Sequence, residues 1–222
     1  MIKAVIIDVD DTLCMTEAAC YSLESEVLEI MGCPPMPRDV HLSTWGRPLL
    51  DIIPIRSPGI DIDEFMRIYQ PCLEKYIAEG KLDTIPDSTF DCLDCLIKAK
   101  KEIFLLTSRT HNELKHMLEP NHLLSKRIKA FYYSNNTQFH KPDPRVFNEL
   151  FSENSYSPGE CVYVGDLPSD AIAANGAGVK FIACMENGLK TKQEFNACKV
   201  DAFVDEFTDI VAVISKLENF VS

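Results

Sequence analysis

Apolar residues come in short runs along this chain, and helical patterns separate most of these runs. The first run, IKAVIID (2–8), contains β-branched residues without clean alternation, which predicts a buried β-strand. From about residue 83 onward, further predicted strands are EIFLLTS (102–108), KAFYYS (129–134), CVYVGD (161–166) and VKFIACM (179–185). The predicted helices between and after them are FDCLDCLIKAK (90–100), THNELKHMLE (110–119), DPRVFNELF (143–151), SDAIAANGAG (169–178) and FTDIVAVISKLENF (207–220).

Strands that alternate with helices indicate a parallel sheet covered on both faces, so we expect an α/β fold with a doubly wound, mostly parallel, Rossmann-like core. The block from residue 16 to residue 82 differs, because it has helical patterns and no strand pattern. Thr16 is placed to cap its first helix and Gly32 to end it. We therefore predict a core formed by residues 1–15 and 83–222, interrupted by an all-helical module at 16–82.

Polar side chains follow the first four predicted strands of this core. Asp8, Asp10 and Asp11 follow the first strand, and Thr107 and Ser108 end the second. The next predicted strands are followed by Lys141, in the loop FHKPDP, and by Asp166 and Asp170, in GDLPSD. Ligands of open parallel sheets bind beyond the carboxyl ends of the strands, so these side chains are expected to form one site. Crowded carboxylates are oxygen ligands of the kind Mg²⁺ prefers, and the lysine and hydroxyls can hold phosphate oxygens.

Composition and charge narrow the possible partners. The chain has 222 residues and a formal net charge of -12, which argues against nucleic acid or an anionic membrane surface as the main partner. No apolar stretch reaches the roughly 18 residues that span a bilayer. The nine cysteines form no paired framework, which is typical of a reducing compartment, so we expect a cytoplasmic protein.

Four motifs in order resemble those of the haloacid dehalogenase-like hydrolases. DVDDT (8–12) is similar to the first motif of that family, LLTS (105–108) to the second, KPDP (141–144) to the lysine motif and GDLPSD (165–170) to the last. The helical module lies just after the first motif, as does the helical cap of the branch that includes phosphoglycolate phosphatase and β-phosphoglucomutase. The resemblance therefore implies a capped enzyme that acts on a small phosphorylated metabolite, as a monomer or a homodimer.

The resemblance implies separate roles for the first two aspartates. Asp8 would attack phosphorus and form an aspartyl phosphate. Asp10 would protonate the leaving oxygen, then take a proton from the attacking water, and its backbone carbonyl would contact the metal. Asp11 stands where the family most often has glycine, and we expect it to point toward solvent or toward neighbours of the site rather than to bind the metal.

The remaining motif residues would hold the metal and the phosphoryl group. By the same resemblance, Mg²⁺ would be held by Asp8, Asp10, Asp166 and Asp170, and the transferring group by Thr107, Ser108 and Lys141. Simpler roles stay open for several of them. Asp166 could cap the helix that follows it, Asp170 could be an ordinary acid in that helix's first turn, and Lys141 could be a solvated loop residue.

The helical module holds the candidates for substrate selection. The segment STWGRPLLD (43–51) resembles the loop with which this branch meets the leaving group of its substrate. Arg47 is its candidate anion contact, although a surface arginine is an equal alternative, and Trp45 could stack on a ligand or belong to the module's core. Arg109 and His111, just past the second motif, could also reach the mouth of the site.

Asp10 favours phosphoryl transfer over carbon–halogen cleavage, because the dehalogenase branch lacks this second acid. We therefore predict a Mg²⁺-dependent phosphatase, with a phosphomutase of the same superfamily or a non-catalytic phosphate-binding relative as alternatives. A receiver domain uses a similar set of residues, but it places its acidic pair and its phosphorylated aspartate after different strands.

Overall fold

The core of the chain is a parallel sheet, as the alternation of strands and helices predicted. The structure is a computed structural model and describes residues 1–219. Six parallel strands form the sheet in the order β3-β2-β1-β4-β5-β6. The strands are β1 Ala4–Ile7, β2 Glu102–Leu106, β3 Ala130–Tyr132, β4 Cys161–Gly165, β5 Lys180–Cys184 and β6 Ala202–Val204. The doubly wound α/β architecture expected from the sequence is confirmed.

The strand register brings the ends of the central strands to one edge. Ile7 of β1 is aligned with Leu105 of β2 on one side and with Val164 of β4 on the other. Every residue of β1 and β4 is buried, because helices cover both faces of these strands. The chain segments that follow β1, β2 and β4 therefore begin at the same edge of the sheet.

The helices of the core follow the predicted order, with one clear exception. They are α5 Asp87–Lys98, α6 His111–Leu114, α7 Asn148–Asn154, α8 Pro168–Ala177 and α9 Ile210–Asn219. The sequence predicted a helix over residues 110–119, but α6 has only four residues. The next amides, those of Met117 and Leu118, donate to carbonyls three residues back, so the chain runs on in tight turns. Pro120 disfavours helical backbone at the residue before it and cannot donate a hydrogen bond, so a helix could not continue past this point.

Two further differences concern short elements. Strand β6 has only three residues, two of them half-buried, which is too short for the periodicity of the sequence to indicate. Residues Pro144–Phe147 and Phe207–Asp209 form 3₁₀ turns ahead of α7 and α9, where continuous helices were expected. Phe220, the last residue of the predicted closing helix, lies outside the described residues.

The chain divides into two compact units. One comprises Met1–Leu13 together with the chain from Ile85 onward, and the other is Cys14–Thr84. The second unit contains α1 Glu17–Ile30, α2 Arg38–Thr44, α3 Leu49–Arg56 and α4 Ile62–Ala78. Helix α1 is followed by Gly32, whose φ of 66° places it in the left-handed region that ends helices, as predicted. Helix α2 was not predicted from the sequence.

A buried cluster of charged side chains lies in the helical unit. Both carboxylate oxygens of Glu24 lie 2.6 Å from Nη1 of Arg56, whose Nε donates to the hydroxyl of Thr44 at 2.9 Å. Nδ1 of His41 lies 2.6 Å from Glu17, which also accepts a hydrogen bond from Arg38. Two buried carboxylates are thus paired with arginine side chains beside the apolar cluster of this unit.

Within residues 1–219, the structure contains no helix that is both long and apolar enough to cross a membrane.

Candidate active site

The first strand delivers Asp8 to the carboxyl edge of the sheet. Its backbone amide donates to the carbonyl of Val164 at 2.9 Å, which continues the pairing of β1 with β4 by one residue. The Asp8 side chain is only 5% exposed. Three residues further on, Asp11 has a φ of 53°, and this left-handed turn is a backbone conformation that aspartate tolerates better than most residues. The turn directs the chain away from the sheet directly after Asp8.

Lys141 lies between two buried carboxylates. Its Nζ lies 2.9 Å from Oδ1 of Asp8 and 2.8 Å from Oδ1 of Asp170. Burial alone would lower the pKa of this lysine, but the two carboxylates outweigh that effect and hold its pKa well above its usual value. The ammonium group is therefore charged, and Lys141 is not the solvated loop residue that the sequence also allowed.

Asp170 is held from three sides. Its Oδ2 accepts a hydrogen bond from the backbone N–H of Leu167 at 3.0 Å, at the start of helix α8. Its Oδ1 accepts one from the hydroxyl of Tyr163 at 3.2 Å and faces Lys141. Asp170 is thus an acid in the first turn of α8, as one alternative expected, and it also belongs to the charge cluster. Its role as a metal ligand stays a prediction.

Asp166 is oriented by two neighbours. The hydroxyl of Thr12 donates to its Oδ1 at 3.3 Å, and the side-chain amide of Asn187 donates to its Oδ2 at 2.8 Å. The same Asn187 amide donates to the backbone carbonyl of Asp11 at 3.0 Å. One asparagine therefore ties the turn after β1 to the carboxylate that follows β4.

Three carboxylates in this cluster could hold a metal ion. Oxygens of Asp8, Asp166 and Asp170 all lie within 4.8 Å of one another, and all three residues are buried. Burial, with the charges of Asp170 and Asp10 added, raises the pKa of Asp8 to about 7 in spite of Lys141. Burial and the charges of Asp170 and Asp8 also raise the pKa of Asp166 well above its usual value. This donor set fits a hard divalent cation, whose charge would offset the burial and the mutual repulsion that raise these two pKa values.

Asp10 points to a different partner. Nη2 of Arg109 lies 2.8 Å from Oδ1 of Asp10, and Nε of Arg109 lies 3.1 Å from Oδ1 and 3.2 Å from Oδ2. The Asp10 side chain is 28% exposed, whereas that of Arg109 is 7% exposed. The expectation that Arg109 reaches the site is met, through contact with this second aspartate.

The second motif divides into a buried and an exposed hydroxyl. Thr107 is buried and its Oγ1 accepts a hydrogen bond from the backbone N–H of Arg109 at 3.2 Å. Ser108 is exposed. Both follow β2 in the same unit as Asp8, and His111 is the first residue of helix α6.

The substrate-selection candidates belong to the helical unit. Arg47 is exposed in the loop between α2 and α3. Trp45 is half-buried, and its ring centroid lies 5.4 Å from that of His41. Trp45 therefore packs at least in part on the helical unit itself, as the core alternative for this residue anticipated.

Sequence reasoning missed several residues of the site. Asn187 follows the fifth strand in a loop without a motif, and Tyr163 reads as an ordinary apolar strand residue. The position of Asn187 just beyond β5, at the same edge of the sheet, was the one available signal. Of the two environments expected for Asp11, the structure shows the neighbourhood of the site and not solvent, because Asp11 is only 2% exposed.

A buried aspartate cluster beside a lysine, at the carboxyl edge of a doubly wound parallel sheet, defines an α/β enzyme site. Residues 5–184 match the family model described as haloacid dehalogenase-like hydrolase. The chain therefore belongs to the haloacid dehalogenase-like hydrolase family. The prediction made from the four motifs is confirmed at the level of the family and of its hydrolase class.

Similar proteins cover nearly the whole chain, and the solved structures among them share its fold. A Clostridium perfringens protein named "Putative pyrophosphatase PpaX" is 25% identical over 224 residues, which cover 99% of this chain and 100% of that protein. The crystal structure of a predicted phosphoglycolate phosphatase from Haemophilus somnus has a TM-score of 0.81 at 18% identity and covers 96% of this chain and 98% of its own. That of a "putative beta-phosphoglucomutase" from Thermotoga maritima has a TM-score of 0.79 at 21% identity, covering 97% and 99%.

Proposed function

We propose that this protein is a Mg²⁺-dependent phosphatase that hydrolyses a small organic phosphomonoester through an aspartyl phosphate on Asp8. The observation that carries the proposal is the buried cluster in which Lys141 bridges Asp8 and Asp170, with Asp166 within metal-binding distance of both carboxylates. Family membership and the phosphatase names of several similar proteins support the same class of reaction.

Asp8 would be the nucleophile. A carboxylate is a modest nucleophile, so its position must supply much of the rate, and its rotamer is fixed here by the 2.9 Å contact with Lys141. The ammonium group of Lys141 would also offset charge on the transferring phosphoryl group. The buried Thr107 is our candidate for a further phosphate contact, together with Ser108, which follows it.

Asp10 would move protons during both halves of the reaction. Its carboxylate is more exposed than that of Asp8, and it lies two residues further along the same turn. This placement suits a group that protonates the leaving alkoxide and then accepts a proton from the attacking water. It is also the feature that favours phosphate esters over carbon–halogen substrates.

Asp8, Asp166 and Asp170 fit a bound Mg²⁺, with the backbone carbonyl of Asp10 as the fourth protein ligand that the family resemblance implies. When bound, the cation would supply the positive charge that lets an anionic nucleophile approach a phosphate. Asp170 would also keep Lys141 in place, since both of its oxygens already accept hydrogen bonds from protein groups. Asn187 and Thr12 would hold Asp166 in its ligating orientation.

Under this proposal the helical unit would act as the cap and select the substrate. Arg47, exposed in the α2–α3 loop, is the candidate contact for an anionic leaving group. The names of similar proteins suggest pyrophosphate, phosphoglycolate and sugar phosphates for a first panel. Arg47→Ala should raise KM at least severalfold for its substrate, whereas Arg67→Ala, an exposed arginine of α4, should not.

The test of the reaction is Mg²⁺-dependent release of phosphate from p-nitrophenyl phosphate and from the panel. We expect wild type to be active, Asp8→Asn to be inactive and Asp94→Asn, an exposed aspartate of α5, to behave as wild type. Chelation with EDTA should abolish both turnover and the binding of inorganic phosphate, because the net charge of -12 offers an anion little other attraction. An active Asp8→Asn variant would disprove the proposed chemistry.

A phosphomutase is the second candidate, because phosphomutases of this superfamily share the four motifs with its phosphatases. A protein named as a putative beta-phosphoglucomutase also has the same fold as this chain. Product analysis separates the two functions. A mutase converts a sugar phosphate into its positional isomer with little release of phosphate, whereas a phosphatase releases phosphate in proportion to the substrate consumed.

A further inference from the structure

The ion pair between Arg109 and Asp10 is not used by any of the steps proposed above. The guanidinium makes three contacts of 2.8–3.2 Å with the Asp10 carboxylate. Asp10 contacts a cation other than the one that contacts Asp8, because Lys141 is placed between Asp8 and Asp170. The two aspartates of the first motif are thus oriented by different basic residues.

Arg109 is itself held firmly by the end of the sheet. Its backbone N–H donates to Oγ1 of Thr107 at 3.2 Å. Its carbonyl accepts hydrogen bonds from the backbone N–H and the hydroxyl of Ser134, in the loop after β3, at 3.0 and 2.9 Å. A residue whose backbone is held by the end of β2 and by the loop after β3 can place its side chain so as to fix the rotamer of a partner on a third segment.

We propose that Arg109 is a positioning residue that holds the Asp10 carboxylate in the orientation required for proton transfer. Asp10 is 28% exposed and lies in a turn, so contact with the guanidinium limits the rotamers open to its carboxylate. The planar fork of an arginine orients a carboxylate in a way that a lysine, a single point charge, does not. This inference rests on the proposed aspartyl-phosphate chemistry.

The step most sensitive to this positioning is hydrolysis of the phosphorylated Asp8. In that step an O–H bond of water breaks and its proton goes to Asp10, while the water oxygen bonds to phosphorus. The bond between phosphorus and the Asp8 oxygen breaks at the same time, which releases inorganic phosphate and restores the carboxylate. Formation of the intermediate from p-nitrophenyl phosphate needs no protonated leaving group, since p-nitrophenolate is already a stable anion.

The experiment is rapid-mixing kinetics of Arg109→Gln with p-nitrophenyl phosphate and with an alkyl phosphate that the wild type accepts. For the aryl ester we expect a burst of about one p-nitrophenolate per active site. The slower phase after it should have its rate reduced about tenfold to a hundredfold relative to wild type. For the alkyl ester, which needs the proton in both steps, we expect the same loss of kcat without a burst.

Three variants separate positioning from a general structural effect. Arg109→Lys should fall between wild type and Arg109→Gln. Arg109→Gln should add little to the defect of Asp10→Asn, because both changes disable the same proton transfer. Arg127→Gln removes a comparable arginine–aspartate pair with Asp94, 2.7 Å apart, and should leave the kinetics unchanged.

An Arg109→Gln variant with wild-type kinetics, or one that slows the burst and the later phase equally, overturns the positioning role. An Arg109 defect that adds in full to that of Asp10→Asn overturns it as well. Retained activity in Asp8→Asn would overturn the proposed function itself, so the two failures are distinguishable.

Discussion

Lys141 and Asp8 form a buried ion pair, with Nζ of the lysine 2.9 Å from Oδ1 of the aspartate. Both side chains are less than 10% exposed, so neither charge is compensated by bulk water. The second carboxylate against this lysine, Asp170, makes the pair part of a three-residue cluster. Removal of the lysine therefore has consequences both for stability and for the proposed chemistry.

Lys141→Ala should abolish most of the activity and destabilise the protein, because it leaves two buried carboxylates without their cation. Breaking a buried pair typically costs about 3–5 kcal/mol, and loss of such a charge at a reacting group lowers kcat by roughly a hundredfold or more. Phosphatase assays and urea unfolding check the two effects. Lys129→Ala, which removes an exposed pair with Glu102, is the matched control and should change neither by more than a small amount. Near wild-type kcat in Lys141→Ala would contradict the assigned role.

Asp8→Asn should stabilise the metal-free protein, and the gain should depend on pH. Burial, together with Asp170 and Asp10, raises the pKa of Asp8 from 3.8 to about 7 in the folded state. A raised folded pKa means that the folded state binds the proton more tightly. The stability that the wild type gains from this bound proton is therefore fully present below about pH 4 and is lost as pH rises to about 7. In EDTA, the melting temperature of Asp8→Asn relative to wild type should accordingly rise across this range.

The control for that experiment is Asp94→Asn. Arg127 lowers the pKa of Asp94 by hydrogen bonding, so this substitution should act in the opposite direction and only weakly, because Asp94 is exposed. Saturating Mg²⁺ should reduce the advantage of Asp8→Asn, since a ligand that binds the folded wild type stabilises it. A constant difference from pH 4 to pH 8 would be inconsistent with burial of a titrating carboxylate.

Asn187→Ala should weaken Mg²⁺ binding while leaving the reaction largely intact at saturating Mg²⁺. Asn187 orients Asp166 through a 2.8 Å hydrogen bond, and loss of a group that orients a metal ligand typically weakens metal affinity about tenfold to a hundredfold. Titration calorimetry with Mg²⁺ and the Mg²⁺ dependence of turnover measure this. Asn175→Ala is the comparison, because the side chain of Asn175 forms hydrogen bonds with the backbone of Lys199, away from Asp166. Equal Mg²⁺ affinity in the two variants would exclude the orienting role.

Arg56→Met should destabilise the helical unit strongly. Arg56 is fully buried and its Nη1 contacts both oxygens of Glu24 at 2.6 Å, so the substitution removes both hydrogen bonds from a buried carboxylate. We expect a loss of about 3–5 kcal/mol in the free energy of unfolding, measured in urea. Arg67→Met, on the exposed face of α4, should change it by about 0.5 kcal/mol or less. A small effect of Arg56→Met would mean that the cluster is solvated.

The sequence predicted those residues of the site that directly follow a strand. Asp8, Thr107 and Asp166 each follow a run of apolar residues, and a parallel sheet places such positions at one edge. Lys141 lies in a long loop, and its inclusion depended on the family motif and not on periodicity. Asn187 was missed, and Arg109 was expected only to reach the mouth of the site, because the contacts of both side chains join residues distant in the sequence.

The same limit explains the elements that were missed. Helix α2 follows four residues that include three prolines, and two of its residues, His41 and Thr44, are buried against Glu17 and Arg56 from other helices. Tertiary contacts of this kind stabilise a short helix that propensity alone does not indicate. The helix predicted at 110–119 was too long, because the regular helix ends at Leu114 and the apolar pattern of the sequence does not reveal this end.

The helical unit begins and ends at one place. The backbone amide of Met15 donates to the carbonyl of Thr84 at 3.1 Å, so the two ends of the unit are tied together as in a hairpin. Because the two ends of this insertion meet, it does not move apart the elements that flank it. The order of strands in the sheet therefore does not depend on the size of the insertion. Evolution can therefore lengthen, replace or delete this module without rebuilding the catalytic scaffold, and an engineer could graft another module onto the same two residues.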